Sequence, residues 1–110
     1  MTFIEFPSFE RIRDTYFTEV DFLLLQLHLV KNPKSGVSIK GSSGLRKLRW
    51  STSKSKNGKS GSYRVVYFLC EQTECWLITA YAKNELATLS QGDIAKIRKL
   101  IESELWERSK

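Results

Sequence analysis

The sequence predicts an α+β domain of order β-α-α-β-β-β-α, with one twisted, mainly antiparallel sheet packed by an N-terminal helical hairpin and a C-terminal helix. Three observations predict it. Two stretches with helical apolar spacing precede any long β-prone run. Three β-prone runs then follow, the last two joined by a short tip. A capped helical stripe closes the chain. A chain of 110 residues suits one domain, residues 1–110, with one modest core.

Thr2-Phe3-Ile4-Glu5-Phe6 alternates and meets Pro7, which suits a short strand ended by proline. Ser8 is the expected N-cap of a first helix carrying Phe9, Ile12, Arg13, Tyr16 and Phe17 at helical spacing. Thr18 and Asp21 form a T-x-x-D capping pattern that opens a second helix. That helix runs through a Leu-rich stretch to Asn32-Pro33, where proline forbids continuation. So much leucine predicts burial over most of its circumference. Lys34–Gly44 reads as loop, being rich in Ser and Gly. Leu45–Trp50, Tyr63–Cys70 and Cys75–Ala82 are the later strands, the last two antiparallel across a four-residue tip. Ser90 caps the closing helix, whose stripe is Ile94, Ile97, Ile101 and Leu105.

Composition narrows the function classes. The longest apolar run, Phe22–Val30, is interrupted by Gln26 and His28 and falls short of the ~18 residues a membrane span needs. The N-terminal stretch lacks a basic region followed by an apolar one, so no signal peptide is expected, no membrane is implied, and the cytosol is the expected compartment. Cys70 and Cys75 flank the hairpin tip. A disulfide across it is geometrically conceivable, but reduced thiols at core or edge positions are expected. Two cysteines with the single His28 make no zinc set, and no metal or cofactor is expected. Formal net charge is +6. Between Asp21 and Glu71 there is no acidic residue, while ten of the 18 Lys/Arg lie there. The rest of the chain holds eight cations against all 12 acidic residues, a net −4. Such asymmetry favours a polyanionic partner, because clustered cations release condensed counterions from phosphates.

The usual catalytic motifs are missing: no Gly-rich phosphate loop before a helix, no G-x-S-x-G, no metal-ligand cluster. What remains is a convergence of cations with one phenol. Lys47 and Arg49 share a face of one strand, Arg64 opens the next, and Tyr81 and Lys83 share a face at the end of the third. Antiparallel pairing can gather these ends. Such a group can cleave RNA without a metal, because RNA carries its own nucleophile, the 2′-hydroxyl. The protein need only align that hydroxyl, neutralise charge growing on the phosphate and move protons. Tyr81 or a lysine would move the proton.

Gly44-Leu45-Arg46-Lys47-Leu48-Arg49, Tyr63-Arg64-Val65-Val66-Tyr67-Phe68 and Ile78-Thr79-Ala80-Tyr81-Ala82-Lys83-Asn84-Glu85 stand in order along the chain. Together they resemble the successive strands of a RelE-superfamily toxin, closest to the HigB-like branch of type II toxin–antitoxin systems. The resemblance covers nearly the whole chain. It implies a ribosome-dependent mRNA endonuclease that cleaves codons in the A site of the 70S ribosome and arrests translation. It also implies a cognate antitoxin, through which operator DNA would be reached only indirectly. The family's catalytic cations match Lys47, Arg49 and Arg64, with a fourth falling at Lys83 or the following position; many relatives read K-R-E where this chain has Lys83-Asn84-Glu85. Relatives often end in a catalytic aromatic or histidine; the closing helix here offers Trp106 and no histidine.

Two other classes compete. A gyrase-inhibiting toxin of the ParE branch would share the fold but has no use for an RNA-cleaving cation set. A non-catalytic nucleic-acid-binding module suits the basic segment but gives no reason for Tyr81 and Lys83 at a strand end. The low-complexity stretch Ser51–Ser62 lies inside one hairpin, so a linker is not expected there. Its Lys54, Lys56 and Lys59, with Arg46, are the expected RNA-backbone contacts, the lysines on a mobile tip.

Overall fold

The computed structural model describes residues 1–54, 62–82 and 89–109. Its elements run β1 (Thr2–Glu5), α1 (Pro7–Tyr16), α2 (Glu19–Lys31), β2 (Val37–Ser38), β3 (Leu45–Trp50), β4 (Tyr63–Cys70), β5 (Glu74–Ala82) and α3 (Gln91–Arg108). The α+β class holds. The sheet is mixed, ordered β1-β5-β4-β3-β2. Three neighbouring pairs are antiparallel, and β1 lies parallel to β5 at one edge. The short β2 falls inside the expected Lys34–Gly44 loop, since two residues give no alternation to detect.

Both sheet faces are covered. On one, Phe9, Tyr16, Leu25 and Leu29 of the first two helices, with Phe17 between them, meet Leu48, Val65, Tyr67, Cys75 and Leu77. On the other, Ile94, Ile97 and Ile101 of α3 meet Leu45, Val66, Trp76, Ile78 and Tyr81. Aromatic contacts join α1 to α2, with Phe9 ring centroids 5.9 Å from both Phe17 and Phe22. Tyr16 stacks on Tyr63 of β4 at 4.2 Å.

The helix ends follow local chemistry, with one exception. Thr18 and Ser90 each form a complete capping box, with Asp21 and Asp93 returning the bond. Ser8 is not a cap. Pro7 occupies the first helical turn, Phe6 takes the cap position, and the Ser8 hydroxyl instead donates to Thr79 Oγ1 at 2.7 Å. The α3 stripe also ends earlier than expected, since Leu105 is exposed.

Asp21 does more than cap. Its carboxylate accepts from the Thr18 N–H and from both the N–H and hydroxyl of Ser53, tying α2 to the segment after β3. Burial opposes ionisation of this carboxyl, but the Ser53 and Thr18 hydrogen bonds outweigh it and hold its pKa at about 2, down from 3.8. The folded value lies below the unfolded one, so the stabilisation is full above pH 4 or so and disappears as pH falls through about 2. Asp21→Ala is therefore expected to cost about 1–2 kcal/mol at neutral pH. The cost should shrink markedly near pH 2, as urea unfolding at the two pH values would read.

The same segment fixes Lys54. Thr52 Oγ1 donates to the Tyr16 carbonyl, the Tyr63 hydroxyl donates to the Lys54 carbonyl, and Lys54 Nζ donates to the Asp14 carbonyl. Lys54 thus sits against the α1–α2 junction rather than on a mobile tip.

The second helix departs most from expectation. Asp21, Leu25 and Leu29 face inward, but Val20, Leu23, Leu24, Leu27 and Val30 are about half exposed or more. A helix lying on one sheet face buries one stripe, and leucine content cannot say how many partners surround it.

At the β4–β5 tip, Glu71 and Gln72 both take positive φ, 52° and 64°, with the Thr73 N–H returning to the Cys70 carbonyl. Left-handed backbone costs a side-chain-bearing residue about 1–2 kcal/mol. Gln72→Gly is expected to raise stability by about 0.5–1 kcal/mol, seen as a higher thermal midpoint. The cysteines beside this tip are both free. Register sets Leu69, not Cys70, opposite Cys75, so the two thiols point to opposite faces. Burial pushes both thiols up, Cys75 to about 12, leaving them as packing groups.

Candidate functional site

Strand pairing gathers the basic residues on one face at one end of the sheet. Arg49 lies directly opposite Arg64, and Arg64 directly opposite Tyr81, so three strands contribute one row. Lys47 stands two residues along β3 on the same face, opposite Val66, and Val66 is opposite Thr79.

Tyr81 reaches this face because β5 carries a bulge. The register shifts between Val66 and Tyr67, and Ile78 is the extra residue between Leu77 and Thr79. Trp76 and Tyr81 both belong to the α3 side, which strict alternation would forbid at that spacing. The inserted residue re-phases the strand end and turns Tyr81 toward Arg64. No alternation pattern in Cys75–Ala82 announces this.

Ser62, a residue the sequence reading passed over as part of the low-complexity stretch, is buried and holds the two guanidinium groups. Its hydroxyl accepts from Arg49 Nε at 2.9 Å and from Arg64 Nη1 at 3.2 Å. Its place two residues before Arg64, at the mouth of β4, was the only available cue. Like charges placed directly opposite across a ladder are destabilising, so this arginine pair is a feature the fold bears rather than needs. Among the described residues, no carboxylate forms an ion pair with Lys47 or Arg64. Burial pushes the Tyr81 phenol above its ordinary pKa, with Arg64 pulling the other way, so the phenol holds its proton through neutral pH.

Beyond Tyr81 and Thr79 the face opens into a cleft of about 600 Å³ between α1, β5 and α3. Phe6, Ile78 and Ile97 form apolar walls, and Arg11 and Lys96 add cations at its lining.

Other expected residues fall elsewhere. Arg46 points to the opposite face, as its register partner Tyr67 does. There it donates through Nη1 to the Gly36 carbonyl at 2.7 Å and the Lys34 carbonyl at 3.3 Å, fastening the loop after α2. Trp106 is exposed near the end of α3, beside Arg108, which pairs with Glu74 at the far end of β5. It is therefore not among the row. Lys56, Lys59 and Lys83, with Asn84 and Glu85, lie outside the described residues. His28 contacts Ser35 Oγ at 3.0 Å and the Trp50 ring at 4.9 Å, away from the basic face.

Among the described residues no helix is long and apolar enough to cross a membrane, and no cluster of His, Cys, Asp and Glu could hold a metal. No family model matches the chain.

Proposed function

We propose that this chain is a metal-independent endoribonuclease that cleaves mRNA in the ribosomal A site, acting as a RelE-like toxin held in check by an antitoxin. The observation that carries the catalytic half is the row Arg49–Arg64–Tyr81 with Lys47 beside it. The ribosome and the antitoxin rest on the strand-by-strand resemblance alone.

In this reading the scissile phosphate lies over Arg49 and Arg64, with Lys47 alongside. The neighbouring 2′-hydroxyl attacks phosphorus, and its proton is lost to water. The P–O5′ bond breaks, leaving a 2′,3′-cyclic phosphate on one fragment and a 5′-hydroxyl on the other. Charge builds on the non-bridging oxygens as the bond forms, and two fixed guanidinium groups oppose it without reorganising. Ser62 contributes by holding both arginines in place. Tyr81, still protonated at neutral pH, gives its proton to the departing 5′-oxygen. DNA has no 2′-hydroxyl and would survive. Arg46 is left out of the RNA surface because its guanidinium is committed to the opposite face.

The test uses ribosomes programmed with a short mRNA, compared with the same RNA free in solution. Cleavage only on the ribosome, with cyclic-phosphate ends, supports the reading; intact RNA in both tubes removes it. Tyr81→Phe is expected to slow the ribosome-bound cleavage by about 10²-fold, the usual scale for a lost proton donor.

A further inference from the structure

We propose that the exposed stripe of α2 is a self-association surface, on which a second copy of this chain docks as an antiparallel helix pair. Val20, Leu23, Leu24, Leu27 and Val30 are 65%, 54%, 52%, 48% and 49% exposed. They recur at helical spacing, so they form one continuous aliphatic ridge opposite the inward-facing Leu25 and Leu29. Scattered exposed leucines need no explanation, but five on one ridge mark an interface.

The order of residues along the ridge selects the occupant. It is nearly the same read from either end about Leu25: Val20 matches Val30, Leu23 matches Leu27, and Glu19 matches Lys31. An isologous contact demands this property, since each copy presents the same patch and residue i meets residue j while j meets i. Turned antiparallel, Val20 of one copy comes level with Val30 of the other, and Leu23 with Leu27. Exposed Glu19 at the helix start then comes level with exposed Lys31 at the helix end, twice per dimer. A parallel pairing would set Glu19 against Glu19 and Lys31 against Lys31. The helix dipoles also favour the antiparallel arrangement. Of the nearby cations, Arg13 is already bound to Glu5 at 2.8 Å and Lys54 donates to the Asp14 carbonyl.

The ridge would bury on the order of 500 Å² per copy, about 1,000 Å² in all, which is near the lower limit for a specific interface and places the contact among the weak, transient ones. None of this depends on what the basic face does; α2 lies across the sheet from the row of Arg49, Arg64 and Tyr81.

Sedimentation equilibrium of the purified chain, from about 1 to 200 μM, tests it. A monomer–dimer equilibrium in that range is expected. Leu23→Lys, at an exposed position that should fold normally by circular dichroism, is expected to weaken the dimer at least 100-fold. Glu19→Lys or Lys31→Glu alone should weaken it several-fold, and the double charge exchange should restore it to within about threefold. A chain that stays monomeric throughout would give the ridge to some other occupant and overturn the proposal. So would a dimer indifferent to Leu23→Lys, or one that the double exchange fails to restore.

Discussion

Replacing Arg64 by alanine is expected to lower the rate of ribosome-bound mRNA cleavage by about 10²–10³-fold while leaving the domain folded. Arg64 occupies the middle of the row, opposite both Arg49 and Tyr81, and its Nη1 donates to Ser62. A phosphorane-like transition state carries more charge than the bound phosphate, so a fixed guanidinium contributes chiefly to the chemical step. The loss should therefore fall on kcat rather than KM. Arg64→Lys should recover only part of the rate, because an ammonium is a point charge without the planar fork. The domain itself should gain slightly, since removing one of two directly opposed arginines relieves repulsion across the ladder. Single-turnover cleavage with saturating ribosomes, set beside a thermal melt, reads both effects. Undiminished cleavage by Arg64→Ala would take Arg64 out of the mechanism.

The second large effect concerns the fold. Gly36→Ala is expected to destabilise the domain by about 3 kcal/mol, the upper range for overpacking a filled site. A Cβ at Gly36 would stand 2.8 Å from Tyr67 Cε1, 2.9 Å from the Tyr67 hydroxyl and 3.2 Å from the Lys47 carbonyl carbon. None of these can yield easily. Tyr67 is fully buried, and its hydroxyl accepts from the Gly36 N–H at 2.9 Å and donates to the Pro33 carbonyl at 2.8 Å. Arg46 closes the other side through the Gly36 carbonyl. Moving Gly36 therefore breaks several bonds at once and exposes buried polar groups. Denaturant unfolding would show a lower midpoint with an unchanged slope. A change below 1 kcal/mol would mean that the loop can shift as a body.

How legible the chain was depended on the range of the interaction. Thr18 and Ser90 were readable as caps because a capping box is settled within four residues. Ser8 departs from its expected cap position for an equally local reason: Pro7 favours the first helical turn and pulls the start back to Phe6. Strand positions were readable from composition, and alternation correctly put Lys47 and Arg49 on one face. The same alternation separates Arg46 from Lys47, so grouping Arg46 with the RNA contacts followed charge where strand geometry pointed the other way. Non-local features were opaque. The parallel pairing of β1 with β5 needs a partner more than 70 residues away. The bulge at Ile78 that aims Tyr81 is a property of two strands, not of one. How much of α2 is buried depends on what lies on its outer side, which its own leucines do not specify.

The most direct test of the central claim is to translate a defined message in a cell-free system with this chain present and map every new mRNA end. A ribosome-dependent endoribonuclease should give ends spaced in codon phase, confined to the translated region, carrying a 2′,3′-cyclic phosphate, and missing when Arg64→Ala replaces the parent. Intact message under the same conditions, or ends scattered without phase in untranslated regions, would contradict it.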